Sequence, residues 1–432
     1  MPTRSNAASL ILLAGGFILA AIAGLWIFMG TTAAPLHPKP QEAPSVTHAA
    51  PPPEWTAAVD QARQLVRAHL TERNLPGLSV AVGIDVQIVW AEGFGFADLK
   101  TGTPVTPNHR FPIGTASTAL TSAAAGLLLE KGKLKLDEAI QTYVPEFPQK
   151  KWPVTLRHLM GHLAGLHSDG GDEGTLFTQH CERPAESLKH FADSDLLSVP
   201  GTEYRYSNYG WIPVSAAIET AAGKPFLTYM REQFFEPLGM KNTIPDPGPV
   251  EPDDDHPLFN LFREQVHDPR TTRRKTPDAA RNALPDRATS YFPRFMADTT
   301  YGLHLMRPLD LSCYAGASVF LSTPSDLVRF AMAVNGGKLL QPATVQLLQT
   351  SQRLASGKET GYGLGWDIET VNLAGKPTRA VGHDGDMLGG VAASLLMFPE
   401  RGIFIAVLSN ISYAETSQLA EKIAQTFADE PK

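Results

Sequence analysis

Hydrophobic and polar positions divide this chain into stretches of different rhythm. Leu10 to Gly30 carries no charged or strongly polar side chain, with Arg4 before it and Trp26 near its far end. About 20 such residues cross the hydrocarbon core of a bilayer as a helix. The run therefore predicts an uncleaved signal anchor with Arg4 on the cytoplasmic side. A long signal peptide cut near Ala33 or Ala34 is the alternative, which Pro35 disfavours. From Pro35 to Glu54 the periodicity stops, and Pro35, Pro38, Pro40, Pro44 and Pro51-Pro52-Pro53 predict a semi-rigid polyproline spacer holding the domain off the membrane.

Trp55, Val59, Ala62, Val66 and Leu70 then recur at helical spacing until Pro76-Gly77 ends the pattern. Leu78 to Ile84 and Val86 to Phe96 are β-type runs, and the small residues from Ser117 to Gly126 read as a buried helix. Near the C-terminus Val391 to Phe398 and Ile403 to Leu408 are strand-like, the second apolar enough to be covered on both faces. Ser417 to Phe427 is an amphipathic helix. Strands at both ends of the chain predict one sheet assembled from both, beside a mostly helical middle from about 115 to 350. The organisation read is an anchor or signal segment at 1–30, a Pro-rich linker at 31–54 and a domain at 55–430. An irregular insertion falls at about 246–300. It holds acidic Glu251 to Asp255, basic Arg270 to Lys275 and recurrent prolines. It reads as a solvated surface excursion or as a lid carrying Phe259, Phe262, Tyr291 and Phe292.

Composition narrows the function classes. The 432 residues are 43% hydrophobic and 19% charged, so a substantial core forms. A net charge of −7 argues against a nucleic-acid partner. Cys181 and Cys313 form one bridge in an oxidising compartment or stay as two buried thiols; spacing alone leaves both open. His158 and His162 stand four apart on a predicted helix, where structural hydrogen bonding competes with a metal pair. No metal or cofactor is expected.

Several motifs then act as a set. Phe111-Pro112-Ile113-Gly114 leads into Thr115-Ala116-Ser117-Thr118 and on to Leu129-Glu130-Lys131-Gly132-Lys133-Leu134. Pro200-Gly201-Thr202 precedes Tyr204 to Trp211, which includes Tyr206-Ser207-Asn208, and His383-Asp384-Gly385-Asp386 precedes a strand-like stretch. Val154 to Leu166, Glu236-Pro237-Leu238-Gly239-Met240 and Ala315 to Leu327 complete the pattern. Together, from about Asn74 to Phe427, they resemble the penicillin-binding-protein and class C β-lactamase family.

That resemblance implies an α+β fold, a mixed sheet flanked by helices beside an all-α lobe, with the active site between the two. It implies acyl transfer on ester, amide or peptide substrates from a Ser-x-x-Lys tetrad. Here Thr115 takes the Ser position and Thr118 the Lys position. By the same resemblance Tyr206 points its phenol at the nucleophile. Asn208 hydrogen-bonds a substrate amide or the first motif's Lys, and His383 belongs to the third motif, whose cation or imidazole binds a substrate carboxylate or polarises the site. Gly385 lets substrate backbone approach, and the N–H of Asp386 joins that of Thr115 in an oxyanion hole. Asp384 and Asp386 make the cleft less welcoming to anions.

Without the ammonium, Tyr206 keeps its proton near neutral pH and the Thr115 hydroxyl lacks a base. Loss of general-base catalysis costs on the order of 10²–10⁴ in rate. The β-methyl of Thr115 also crowds the line of attack. His383 as base, or Ser117 or Ser122 as nucleophile, would be the escapes. The expectation is a membrane-anchored, extracytoplasmic protein of the bacterial periplasm or cell envelope, with a small-molecule or peptide substrate and weak or altered catalysis. The other reading is a non-catalytic protein binding cell-wall fragments or a protein partner.

Overall fold

A computed structural model describes residues 4–167, 176–177, 179–248, 284, 286–295, 297–306, 309–386, 389–390 and 392–428. The first elements are helix α1 (Arg4–Thr32), strand β1 (Ser45–Thr47), helix α2 (Thr56–Glu72), β2 (Gly77–Ile84) and β3 (Gln87–Asp98). Short β4 (Thr103–Pro104) and β5 (Phe111–Pro112) lead to helix α3 (Ser117–Glu130). The middle supplies β6 (Ile244–Pro245), the hairpin β7 (Tyr291–Phe295) and β8 (Asp298–Leu305), and β9 (Phe320–Ser322). β10 (Asp367–Leu373), β11 (Lys376–Asp384), β12 (Ala392–Phe398) and β13 (Ile403–Ser409) follow, and a helix over Thr416–Ala428 closes the fold.

The principal sheet runs β1-β3-β2-β13-β12-β11-β10, with β4 against β3. Its ladders are all antiparallel. As expected, strands from both chain ends meet: β13 pairs with β2, Ala406 opposite Ala81. The run Ile403 to Leu408 is apolar throughout because both faces of β13 are covered. Ile403, Ile405 and Val407 join Val59, Val66 and Leu419 in the core under α2 and the C-terminal helix. Phe404, Ala406 and Leu408 join Ala119, Leu120, Leu327 and the helical lobe on the other face. Continuous hydrophobicity thus marks burial on both faces, here without a parallel sheet.

The Pro-rich segment departs from the spacer expectation. His37 is buried, its Nε2 3.1 Å from the Leu75 carbonyl and its ring stacked on Phe96 at 5.6 Å. Arg67 donates to the carbonyls of Pro40, Gln41 and Ala43 and to Ser45 Oγ. Ser45 to Thr47 pair with β3 as the edge strand. Prolines suit such a position because they have no N–H to leave unpaired. The segment is fastened to the domain.

The expected irregular insertion also resolves partly into order. Phe259 and Phe262 lie outside the described residues. Tyr291 is buried, its N–H donating to Asn410 O and its hydroxyl accepting from Leu99 N–H at 2.8 Å. Phe292 meets Tyr413 at 5.8 Å. These two aromatics belong to a hairpin joined to the sheet, not to a lid. Cys181 and Cys313 form a disulfide with Cα atoms 4.9 Å apart.

Candidate active site

Thr115 sits in a turn of 3₁₀ helix, Gly114–Ala116, that feeds α3. The turn is held from behind by Ile113 N–H on Phe320 O and by the pairing of β5 with β9. Gly114 has φ +50°, a left-handed value that favours glycine. Facing this turn is the end of β11, where His383 and Asp384 pair with Leu395 and Ser394. Gly385 comes next. A Cβ there would lie 2.0 Å from Ile113 O and 2.9 Å from Ala116 N. The missing side chain lets this stretch press against the Thr115 turn, where the resemblance implied substrate approach.

The hydroxyl of Thr115 donates to Asp384 O at 2.9 Å. His383 is buried, with Nδ1 2.7 Å from the same carbonyl and Nε2 2.9 Å from the Tyr362 hydroxyl. A carbonyl only accepts, so Nδ1 carries the proton and Nε2 accepts from Tyr362. Both ring nitrogens are engaged away from Thr115 Oγ. His383 is not poised as a base for it in this arrangement.

Thr118 is fully buried on α3, and its Oγ1 has no hydrogen-bond partner among the described residues. The escapes through serine close as well. Ser122 is buried, donates to Leu364 O and accepts from the Trp366 indole at 3.0 Å. Ser117 is likewise fully buried.

Tyr206 is half-exposed and stands in an aromatic cluster. Its ring lies 4.2 Å from that of His162, 6.4 Å from Tyr362 and 6.5 Å from His383. Asn208 begins the short 3₁₀ helix Asn208–Gly210 just beyond. Tyr204 borders the same cluster at 6.0 Å from both His162 and Tyr362. Burial lifts the phenol of Tyr204 and, well above its usual range, that of Tyr362. Burial also raises the carboxyl of Asp367. His162 is pushed down to about 3, chiefly by burial. Its Nδ1 accepts from Ser207 N–H at 3.2 Å, so the neutral ring protonates on Nε2. Burial thus keeps His162, Tyr204 and Tyr362 uncharged.

The histidine pair thus has structural duties. His158 Nδ1 accepts from Thr155 N–H and completes a capping box, while His162 fills the tyrosine cluster at φ +56°. No group of three metal-binding side chains occurs among the described residues. Asp386, at the mouth, accepts Tyr413 N–H on both carboxylate oxygens at 3.1 and 3.0 Å. Partial withdrawal from water pushes its carboxyl up to about 6, although the side chain still meets solvent. Sequence reasoning missed Tyr362, His162 and Asp367 as members of this site. Only the hydrophobic run Tyr362 to Trp366 hinted that the chain turned inward there.

Comparison with known proteins places this geometry in a lineage. Residues 62–428 match the Beta-lactamase family. The chain is 25% identical over 475 residues to the human serine beta-lactamase-like protein LACTB, mitochondrial, covering 86% of this chain and 80% of that one. It is 24% identical over 342 residues to penicillin-binding protein 4* of Bacillus subtilis, covering 78% and 69%. The structure of D-amino acid amidase from Ochrobactrum anthropi superposes with a TM-score of 0.65 at 20% identity, over 86% of this chain and 98% of that one. Family match and shared fold agree with the three motifs gathered around Thr115, and the chain belongs to the Beta-lactamase family of serine-hydrolase relatives.

Proposed function

We propose that this protein is a membrane-anchored, extracytoplasmic member of the family whose cleft takes ester, amide or peptide substrates and turns them over slowly. The observation that carries this is the direction of one proton. The Thr115 hydroxyl donates to the Asp384 carbonyl, and the residue one turn later is a buried threonine. A hydroxyl so placed is hydrogen-bonded to a carbonyl, which cannot take its proton as it attacks. What remains is a preorganised cleft, which supplies binding and orientation without the base.

In this reading Thr115 is the attacking oxygen, Tyr206 and Asn208 line the substrate, and the backbone beside Gly385 and Asp386 stabilises the developing oxyanion. The disulfide supports an oxidising compartment, and the apolar N-terminal helix supports an anchor. A binding protein that recognises cell-wall fragments or a protein partner is the second reading. It is favoured by the engagement of both His383 nitrogens away from Thr115.

Intact-mass analysis after treatment with a fluorescent penicillin and with a fluorophosphonate separates the two. A slowly accumulating adduct on Thr115, lost in Thr115→Val, is the expected result. No adduct after prolonged incubation, with saturable binding of a muropeptide retained, would replace the hydrolase reading by the binding one.

A further inference from the structure

We infer that the β7–β8 hairpin is a second membrane contact, seating the domain on the lipid surface beside the end of α1. The inference rests on the proposed anchoring of α1. The apolar span Leu12–Thr32 has 21 residues, mean hydropathy 2.3 and almost no burial within the protein. At about 1.5 Å per residue it extends about 32 Å, against a hydrocarbon core of about 30 Å. With Arg4 held at one headgroup layer, the 29 residues of α1, about 43 Å long, bring its last turns to the opposite membrane boundary.

Those last turns are where the hairpin touches. Trp26 packs edge-on against Phe295 at 6.3 Å and Tyr301 at 5.6 Å. Trp26 precedes the helix end by six residues, about 9 Å along the axis. Whatever meets Trp26 from the side therefore reaches headgroup depth or below. The contacting residues suit that zone: two aromatics, and Arg294, which donates to Met29 O at 2.9 Å and Thr32 Oγ1 at 2.8 Å. An arginine capping the helix end keeps its charge at headgroup level while its stem lies along apolar surface.

The chain cannot swing the domain away. Asn74 donates to Ala34 O and accepts from Leu36 N–H, pinning the backbone two residues after α1 ends. Two extended residues reach only about 7 Å. The hairpin's other end connects to the mouth of the site, through Phe292 on Tyr413 and Tyr413 N–H on Asp386. Seating the hairpin brings the Asp386 rim toward the bilayer, where a lipid-borne acyl or peptide substrate would be presented.

The test uses the full chain in phosphatidylcholine–phosphatidylglycerol vesicles. The sequence's two cysteines are joined to each other, so an added cysteine is labelled alone. Thr300→Cys reports the exposed side of the hairpin, Ala20→Cys the helix and Glu236→Cys the helical lobe. Each carries an environment-sensitive fluorophore challenged by lipids spin-labelled near the headgroup and, for position 20 in the middle of the span, by lipids spin-labelled along the acyl chain. We expect positions 300 and 20 to lose most of their emission and position 236 to keep it. Quenching at 20 with none at 300 overturns the hairpin contact and leaves the anchor standing. No quenching at either overturns both.

Discussion

Replacing His162 by asparagine should flatten the acid limb of the stability profile. The imidazole is fully buried among Tyr204, Tyr206 and Tyr362, and burial holds it down to about 3. In the unfolded chain it titrates at its ordinary 6.5. Between these values the unfolded state binds a proton that the folded state refuses. The stability this neutral ring contributes is therefore complete above about pH 6.5 and is lost as pH falls toward 3. The linkage integral gives a loss of about 2 kcal/mol by pH 5 and about 3 kcal/mol by pH 4.

Asparagine is a fitting probe for two reasons. Its Oδ1 can take the place of Nδ1 in accepting Ser207 N–H, and it tolerates the φ of +56° at this position. Urea unfolding of the full chain in non-ionic detergent, at pH 7 and pH 5, measures the effect. Other buried histidines, His37 and His69 among them, are lowered by burial and cause acid loss in both proteins. Only the difference belongs to His162. Equal losses in wild type and His162→Asn would refute the reasoning, because they would mean that the ring is protonated or solvated in the folded state.

Three further perturbations probe the site and its frame. Thr115→Ser/Thr118→Lys restores nucleophile and ammonium, and should raise the rate of penicillin or fluorophosphonate adduct formation by on the order of 10²–10⁴; Thr115→Ser alone should gain little, as mass spectrometry over a time course will show. Gly385→Ala forces a Cβ to within 2.0 Å of Ile113 O, so β11 must retreat from the Thr115 turn. A cost of about 1–3 kcal/mol follows by overpacking, read as a lowered urea midpoint together with loss of any Thr115 labelling. Cys181→Ser/Cys313→Ser opens a link across 132 residues of sequence, for which chain entropy sets a stabilisation near 5 kcal/mol as an upper figure. The thermal midpoint of the double variant should fall to that of the reduced wild type.

Much of the frame was legible because its rhythm depends on burial alone. Helix α2, strands β2, β3, β12 and β13 and the closing helix lie within a few residues of their predicted bounds. Each presents one face or both to a continuous core. β10 and β11 escaped notice: Asp367 to Leu373 mixes charges into an edge strand, and Lys376 to Asp384 begins polar. The clamp on residues 35–47 was hidden for another reason. Prolines signal extended backbone equally well whether it is free or laid along a sheet edge, and only the distant Arg67 and Asn74 decide between the two. The disulfide likewise needed the fold to bring residues 181 and 313 together.

At the site, the motifs placed Thr115, Tyr206 and His383 together but could not assign their protons. That assignment comes from Tyr362, more than 150 residues beyond Tyr206, whose hydroxyl occupies His383 Nε2. With Nε2 satisfied, Nδ1 must carry the proton toward Asp384 O, the carbonyl that Thr115 also addresses. Two donors converge on one acceptor, a backbone carbonyl that cannot serve as a base. The surroundings match this electrical neutrality, with His162 uncharged, the Tyr362 phenol raised and the Asp367 carboxyl pushed toward its protonated form. A pocket built around a lysine would have to solvate or pair an ammonium at the place Thr118 now fills with a methyl and a hydroxyl. The two threonines are thus consistent with each other and with their lining.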